Sequence, residues 1–233
     1  SYLNKFFERK FYQNASKIIF THNEVAELHK EKFNIDSSKI VIGHPIALLN
    51  DDIIKNSLSF NYKDNPLKIG YFGAFTKSVR EPNNYILNIA NFFGDNIVHE
   101  WYINEESKKY FSLINDVTYH QFFDILPRKQ ALEVMVNKIH ILLSIGNFNK
   151  YQMPSKVIEY LSLGKPVLHY AEIIDDPLYN FEILFDNLKI INSKTTKNEL
   201  ENYFEYIKEK RLELNYENFN NIFSPSKLID ELI

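Results

Sequence analysis

From residue 67 onward, short β-branched and aromatic runs alternate with segments of helical periodicity, and that alternation constrains the fold more than any other feature of the chain. The runs are Leu67 to Phe72, Ile97 to Ile103, Val117 to Phe122, Ile139 to Ile145, Lys165 to Tyr170 and Leu188 to Ile191. Residues 82 to 93, 127 to 137, 155 to 163 and 195 to 212 carry helix-spaced apolar residues, and two of these segments open on proline. Strands separated by helices in this way predict a parallel sheet of the doubly wound α/β class. Ahead of it, residues 2 to 14 read as a helix, Lys17 to Thr21 as a strand, Asn23 to Phe33 as a helix and Lys39 to Ile42 as a strand. Residues 45 to 66 lack a period and hold Pro45, Asn50-Asp51-Asp52 and Asp64-Asn65-Pro66, the residues of turns. The expected organisation is therefore the tail of an α/β domain over 1–46, a linker over 47–66, a ligand-binding α/β domain over 67–224 and a closing helix over 225–233.

The stretch Met153 to Leu168 places an anion site, a helix and a buried strand side by side. Pro154 and Ser155 suit a helix start, the serine being able to cap a free amide. Val157, Ile158 and Leu161 recur at helical spacing, Gly164 supplies the stop, and Pro166 forbids continuation before Val167-Leu168. The positive end of such a helix attracts phosphate, with Lys156 beside it. Glu159 lies a turn further in, roughly 6 Å along the axis at about 1.5 Å per residue, a pyrophosphate-to-ribose distance.

Composition removes several classes of function. The 233-residue chain is 45% hydrophobic and 24% charged, enough for a sizeable core and against disorder. A net charge of −3 supplies no basic field for a polynucleotide, so no nucleic-acid partner is expected. With no cysteine there are no disulfides, thiolate metal sites or cysteine nucleophiles. The apolar runs are strand-sized, with neither a membrane span nor a signal peptide. The seven histidines, at 22, 29, 44, 99, 120, 140 and 169, show no zinc-ligand spacing, and no metal is expected; His44 and His169 are placed to line a cleft, but core roles suit them better. The chain opens on Ser1 in helix-like sequence, which reads as a piece of something longer.

Glycine is scarce, so Gly70 and Gly73, at the end of the Leu67 to Phe72 strand, invite a reason. A glycine there lets a ligand approach the backbone in the crevice of a doubly wound sheet. The three-glycine dinucleotide fingerprint is missing, which disfavours nicotinamide or flavin chemistry. Lys77 and Arg80 follow in the loop and are able to neutralise a diphosphate or simply to stand solvated.

These residues resemble the retaining glycosyltransferases of two-Rossmann-domain (GT-B) architecture, especially family four and its relatives that build surface polysaccharides. Pro154 to Leu161 with Gly164-Lys165-Pro166-Val167 is similar to that family's donor-site helix and following strand. Val117 to Phe122, Pro127 to Met135 and Ile139 to Asn147 match the elements before it in order and spacing. Residues 8 to 46, ending Gly43-His44-Pro45, resemble the end of the amino-terminal domain, and Ser224 to Ile229 the closing helix. The resemblance implies a Rossmann-like donor domain that needs no metal or other cofactor and takes a sugar on uridine or guanosine diphosphate. Glu159 would hold the ribose; Ser155, Lys156 and Gly73 the diphosphate; main chain around Phe123, Asp124 and Ile125 the base. Lys156 with Lys77 and Arg80 would carry the catalysis by stabilising the leaving diphosphate. Two positions depart from the pattern. The family's second glutamate, eight residues before the ribose ligand, is Tyr151 here, placed at the donor sugar, and the arginine after the strand-end glycine is Ala74. The implied partners are a nucleotide-sugar donor and a saccharide or lipid-linked acceptor, in the cytoplasm or at the inner membrane face, with peripheral membrane contact through the amino-terminal domain.

Other readings compete. Glu159 paired with Lys156 one turn back is the ordinary alternative for that carboxylate. The helix over 2–14, with Tyr2, Leu3, Phe6, Phe7 and Phe11 among Lys5, Arg9 and Lys10, suits a membrane surface, a packed domain face or a dimer contact. At the level of function, a nucleotide-sugar epimerase and a non-catalytic binding subunit are the alternatives.

Overall fold

The computed structural model describes residues 2–44, 62, 66–92, 96–112, 119–209 and 216–232. Apart from Tyr62 and Pro66, the linker expected over 47–66 lies outside the described residues, as do 117–118 at the head of the third expected strand.

The first block holds α1 (Tyr2–Asn14), β1 (Ile18–Phe20), α2 (Asn23–Phe33) and β2 (Ile40–Ile42). β1 and β2 pair in parallel, Ile18 opposite Ile40 and Phe20 opposite Ile42. Ile18, Phe20, Ala26, Phe33 and Ile35 form its buried core, with Tyr12 packed against them and bonded to His29 Nδ1 at 2.8 Å. α2 ends where Asn34 takes φ 54°, a left-handed position that asparagine tolerates. On the α1 aromatic face Phe6, Phe7 and Phe11 are exposed, and Lys10 lies over the Phe6 ring at 5.0 Å.

The second block runs β3 (Leu67–Phe72), α3 (Asn83–Asn88), β4 (Ile97–Tyr102), α4 (Glu105–Lys108), β5 (His120–Phe123), α5 (Arg128–Asn137), β6 (Ile141–Ile145), α6 (Ser155–Ser162), β7 (Val167–Tyr170), α7 (Tyr179–Glu182), β8 (Leu188–Ile191), α8 (Lys197–Glu209), α9 (Tyr216–Phe223) and α10 (Pro225–Leu232). The six strands form one sheet in the order β5-β4-β3-β6-β7-β8, every pair parallel. This is the doubly wound α/β architecture the alternation predicted. Alternate side chains of each strand feed opposite faces. Ile69, Tyr71, Trp101, Leu143 and Tyr170 pack with α3 and α8 residues such as Tyr85, Ile86, Leu200 and Phe204. Phe72, Tyr102, Leu142 and Val167 pack on the other side with Met135, Val157, Leu161 and Phe219. Trp101 is fully buried, its Nε1–H donating to His120 Nδ1 at 2.9 Å and its ring stacked on His99. A methyl at Gly70 would lie 2.9 Å from Ile139 side-chain atoms, so the glycine lets that residue close on β3.

The chain runs outward from β3 through β4 to β5, then returns to β6 on the far side of β3. Strand order thus reverses between β3 and β6, and a crevice at their carboxyl ends is the ligand position of such sheets. The last helix crosses back to the first block, where Leu228 lies so close over Gly43 that a methyl there would come within 2.8 Å of it. No helix among the described residues is long and apolar enough to cross a membrane.

Candidate functional site

At the carboxyl end of β6 the chain turns through Asn147 to Met153 and enters α6 at Pro154, the N-cap residue, with φ −66° and ψ 99°. Ser155 is the first helical residue and does not cap: no side chain bonds the first-turn amides, which corrects the capping role expected of it. Proline before the first turn fixes entry without a side-chain oxygen; its carbonyl accepts from Val157 N–H at 3.1 Å, which leaves the amides of Ser155 and Lys156 for another acceptor. One face of the helix, Val157, Ile158, Tyr160 and Leu161, is buried, while Ser155 and Lys156 are exposed and Glu159 is half-buried. Gly164, at φ +69°, ends the helix ahead of Pro166 and β7.

Across the switch, β3 ends at Phe72 and Gly73 follows. Lys156 spans the gap, its Nζ donating to the Phe72 carbonyl, to which the Tyr160 hydroxyl also donates at 3.4 Å. Gly73 takes φ +152°, a backbone conformation that favours glycine, and a Cβ there would sit 3.0 Å from Lys156 Nζ and push the ammonium aside. Although Lys156 as a whole is exposed, its amine end is part-buried, and that removal from water holds its pKa below the usual lysine range; Glu159 opposes this and Arg80 adds to it. The Arg80 charge is therefore close enough to be felt at the ammonium.

Arg80 closes a tight turn after β3: Thr76 N–H donates to the Arg80 carbonyl at 3.0 Å and Arg80 N–H to the Thr76 carbonyl at 2.9 Å. Phe148 N–H donates to the Val79 carbonyl at 2.8 Å, tying this turn to the segment after β6. Lys77 is exposed on the turn. Lys156, Gly73, Arg80 and the open end of α6 therefore meet at one place.

Glu159 does not pair with Lys156. Its Oε1 accepts from Arg128 Nη2 at 3.2 Å, joining α6 to the start of α5. The Arg128 side chain is 84% exposed and that of Glu159 is 30% exposed, so the pair is weak and the carboxylate stays accessible. Arg128 is a neighbour that sequence reading missed; its place directly after Pro127, at the end of a sheet loop, was the available signal. Phe123 ends β5, its ring stacked on Tyr102 at 4.8 Å and Tyr102 stacked on Phe72 at 4.4 Å. The Phe123 carbonyl accepts from Ile103 N–H at 3.0 Å, and Asp124 pairs with Lys108 at 3.2 Å. Ile125 is exposed beyond them. Tyr151 is also exposed, its N–H held by Asn149 Oδ1 at 3.1 Å, on the turn leading into α6.

The two histidines expected beside a cleft, His44 and His169, pack into the structure. His169 is fully buried, with Nδ1 3.1 Å from Ser144 Oγ and Nε2 3.1 Å from Asp176 Oδ2, and does not line the crevice. His44 packs edge-on to Phe181 and Phe223, and burial lowers its pKa. Among the described residues, no group of three or more His, Asp or Glu is placed to hold a metal ion.

No protein-family model matches the sequence, and no curated protein does. Solved structures do match. A glycosyltransferase from Rickettsia africae superposes with a TM-score of 0.68 at 12% identity, over 96% of this chain and 64% of its own. HepE from Anabaena, solved with UDP and glucose, gives 0.59 at 11%, over 93% and 61%. The pneumococcal O-GlcNAc transferase GtfA, solved with UDP and GlcNAc, gives 0.56 at 13%, over 96% and 45%. The chain has the fold of GT-B glycosyltransferases. It spans less than two thirds of each of these structures, and identities this low carry fold alone.

Proposed function

We propose that the chain binds a nucleoside diphosphate sugar along the carboxyl edge of its six-stranded sheet and serves a retaining glycosyltransferase of cell-surface polysaccharide or glycoconjugate synthesis. One observation carries the reading: Lys156 Nζ lies 3.0 Å from the Cβ position of Gly73, joining an uncapped helix start to a strand-end glycine with Glu159 one turn away. The diphosphate of a uridine or guanosine donor sits on the first amides of α6 beside Lys156, with Arg80, and secondarily Lys77, facing its outer oxygens. Glu159 exchanges the exposed Arg128 for the ribose hydroxyls, which donate to its two oxygens. Phe123, Asp124 and Ile125 border the base, and Tyr151 borders the sugar. As the sugar–oxygen bond breaks, charge builds on the diphosphate, and the cations and amides already in place stabilise it without a metal. The acceptor, a saccharide or lipid-linked sugar, approaches from the side of the first block.

Calorimetry with uridine, guanosine and thymidine diphosphate sugars tests this directly. Heat is expected from at least one; none from any would overturn the reading. Glu159→Ala is expected to weaken that binding by about 1–3 kcal/mol while leaving the melting temperature nearly unchanged, through loss of a charged acceptor. Unchanged affinity would remove Glu159 from the site. Tyr151, which is exposed, and Ala74 stand where the family pattern has Glu and Arg, and they favour a second reading: a subunit that binds the donor without transferring it. Binding without turnover in the presence of acceptor extracts would support that reading.

A further inference from the structure

The turn that feeds α6 is held from two sides. From within, Asn147 Nδ2 donates to the Gln152 carbonyl at 2.6 Å and Asn149 Oδ1 accepts from Tyr151 N–H at 3.1 Å. From the first block, His22 reaches it across 128 positions of sequence: Nε2 lies 2.9 Å from the Lys150 carbonyl oxygen. The ring is 3% exposed, so no water competes for the bond. A carbonyl only accepts, which fixes the proton on Nε2. In the neutral ring Nδ1 is then an acceptor, and the Thr21 hydroxyl, 2.9 Å away, donates to it. Thr21 thereby orients the ring from the end of β1, much as an outer partner orients a functional histidine. On the far side, Lys150 Nζ pairs with Asp175 at 3.7 Å.

We propose that His22 is a positioning residue for the donor site: its Nε2–H pins the Lys150 carbonyl, so the first block sets how the 147–153 turn presents the opening amides of α6 and Lys156. The assignment of a donor to that edge rests on the function proposed above; the pinning itself does not. It makes the two blocks a single device, because a shift of β1 moves the carbonyl a few residues ahead of the anion site. A displacement of about 1 Å at such a site is enough to matter for catalysis.

The test uses the whole chain and two variants. His22→Ala removes the donor; His22→Gln restores an amide donor of similar reach. Hydrogen exchange is read at residues 148–156, and affinity is read with UDP-glucose, UDP-GlcNAc and GDP-mannose, using whichever binds the unaltered chain. His22→Ala is expected to raise exchange in that segment and weaken binding by about tenfold, the usual worth of one buried hydrogen bond, while exchange across β3 to β8 stays as it was. His22→Gln is expected to return both readouts to within about twofold. Thr21→Val, which keeps the ring and removes only its orienting hydroxyl, gives a milder rise at the same segment and serves if His22→Ala does not fold. A folded His22→Ala chain with unchanged exchange and affinity, or equal losses in the alanine and glutamine variants, overturns the proposal. If the unaltered chain binds none of the probes, the donor-site reading falls, and the exchange comparison still decides whether His22 fixes the turn.

Discussion

Two lysines bracket α6. Lys156 opens it at the carboxyl edge of the sheet and donates to the Phe72 carbonyl just where β3 ends. Lys165 follows it at the amino edge and donates to the Ile139 carbonyl just before β6 begins. In the simplest terms the two make the same bond. They differ in their surroundings: Lys156 is exposed and feels the charges of Glu159 and Arg80, whereas Lys165 is fully buried and burial alone pushes its pKa down to about 7. Its carbonyl is also engaged, accepting from Asn187 Nδ2 at 3.0 Å. A lysine on a main-chain carbonyl therefore says little by itself. Access and neighbouring charge separate a group able to exchange its partner for a ligand from one committed to the interior.

The contrast breaks most readily at the open end. Lys156→Met is expected to weaken donor binding by about 1.5–3 kcal/mol, roughly 10- to 150-fold, with little change in thermal stability. Calorimetry and melting on the same sample check it; equal affinity would place Lys156 with Lys165 as a structural lysine. At the closed end, Lys165→Met is expected to leave affinity alone and to change the pH dependence of stability. The folded amine titrates near 7 while the unfolded one keeps its ordinary 10.5. The unfolded chain thus binds more protons between those values, and stability rises with pH across that window. Between pH 7 and 9 the Lys165 contribution is about 2 kcal/mol. Urea melts of both proteins at the two pH values should show the rise in the original chain and its loss in the variant; parallel profiles would mean the amine is not held as described. The smallest effect belongs to Arg128→Ala, which breaks an exposed pair and should shift stability by less than about 0.5 kcal/mol. A larger drop in the urea midpoint would show that Glu159 is tied into the fold and is not available to a ligand.

Much of this was legible along the chain because it is local. Gly164 and Pro166 bound α6 through backbone preferences that act within a few residues, and the strand runs carry their own periodicity. Gly73 announced a close approach at a strand end, and the approaching group turned out to be the ammonium of Lys156. What stayed hidden is tertiary. Nothing near Lys165 in sequence distinguishes it from a solvated lysine, since its burial comes from the strands beside it. The Arg128 to Glu159 pair and the His22 to Lys150 bond join residues that meet only when elements pack. α9, whose sequence Tyr216 to Phe223 is rich in Asn, was not anticipated: its intrinsic propensity is poor, and Phe219 and Phe223 are buried against Phe185, so packing makes it a helix.

The chain has a single tryptophan, Trp101, which lies on β4 beside His99 and beside His120 of the edge strand β5. Its emission is therefore a built-in optical gauge of one known place, free of overlapping signals from other indoles. The ring is fully buried and its Nε1–H is bonded to His120, so the brightness of this one fluorophore follows the intactness of the β4–β5 side of the sheet, with no label attached.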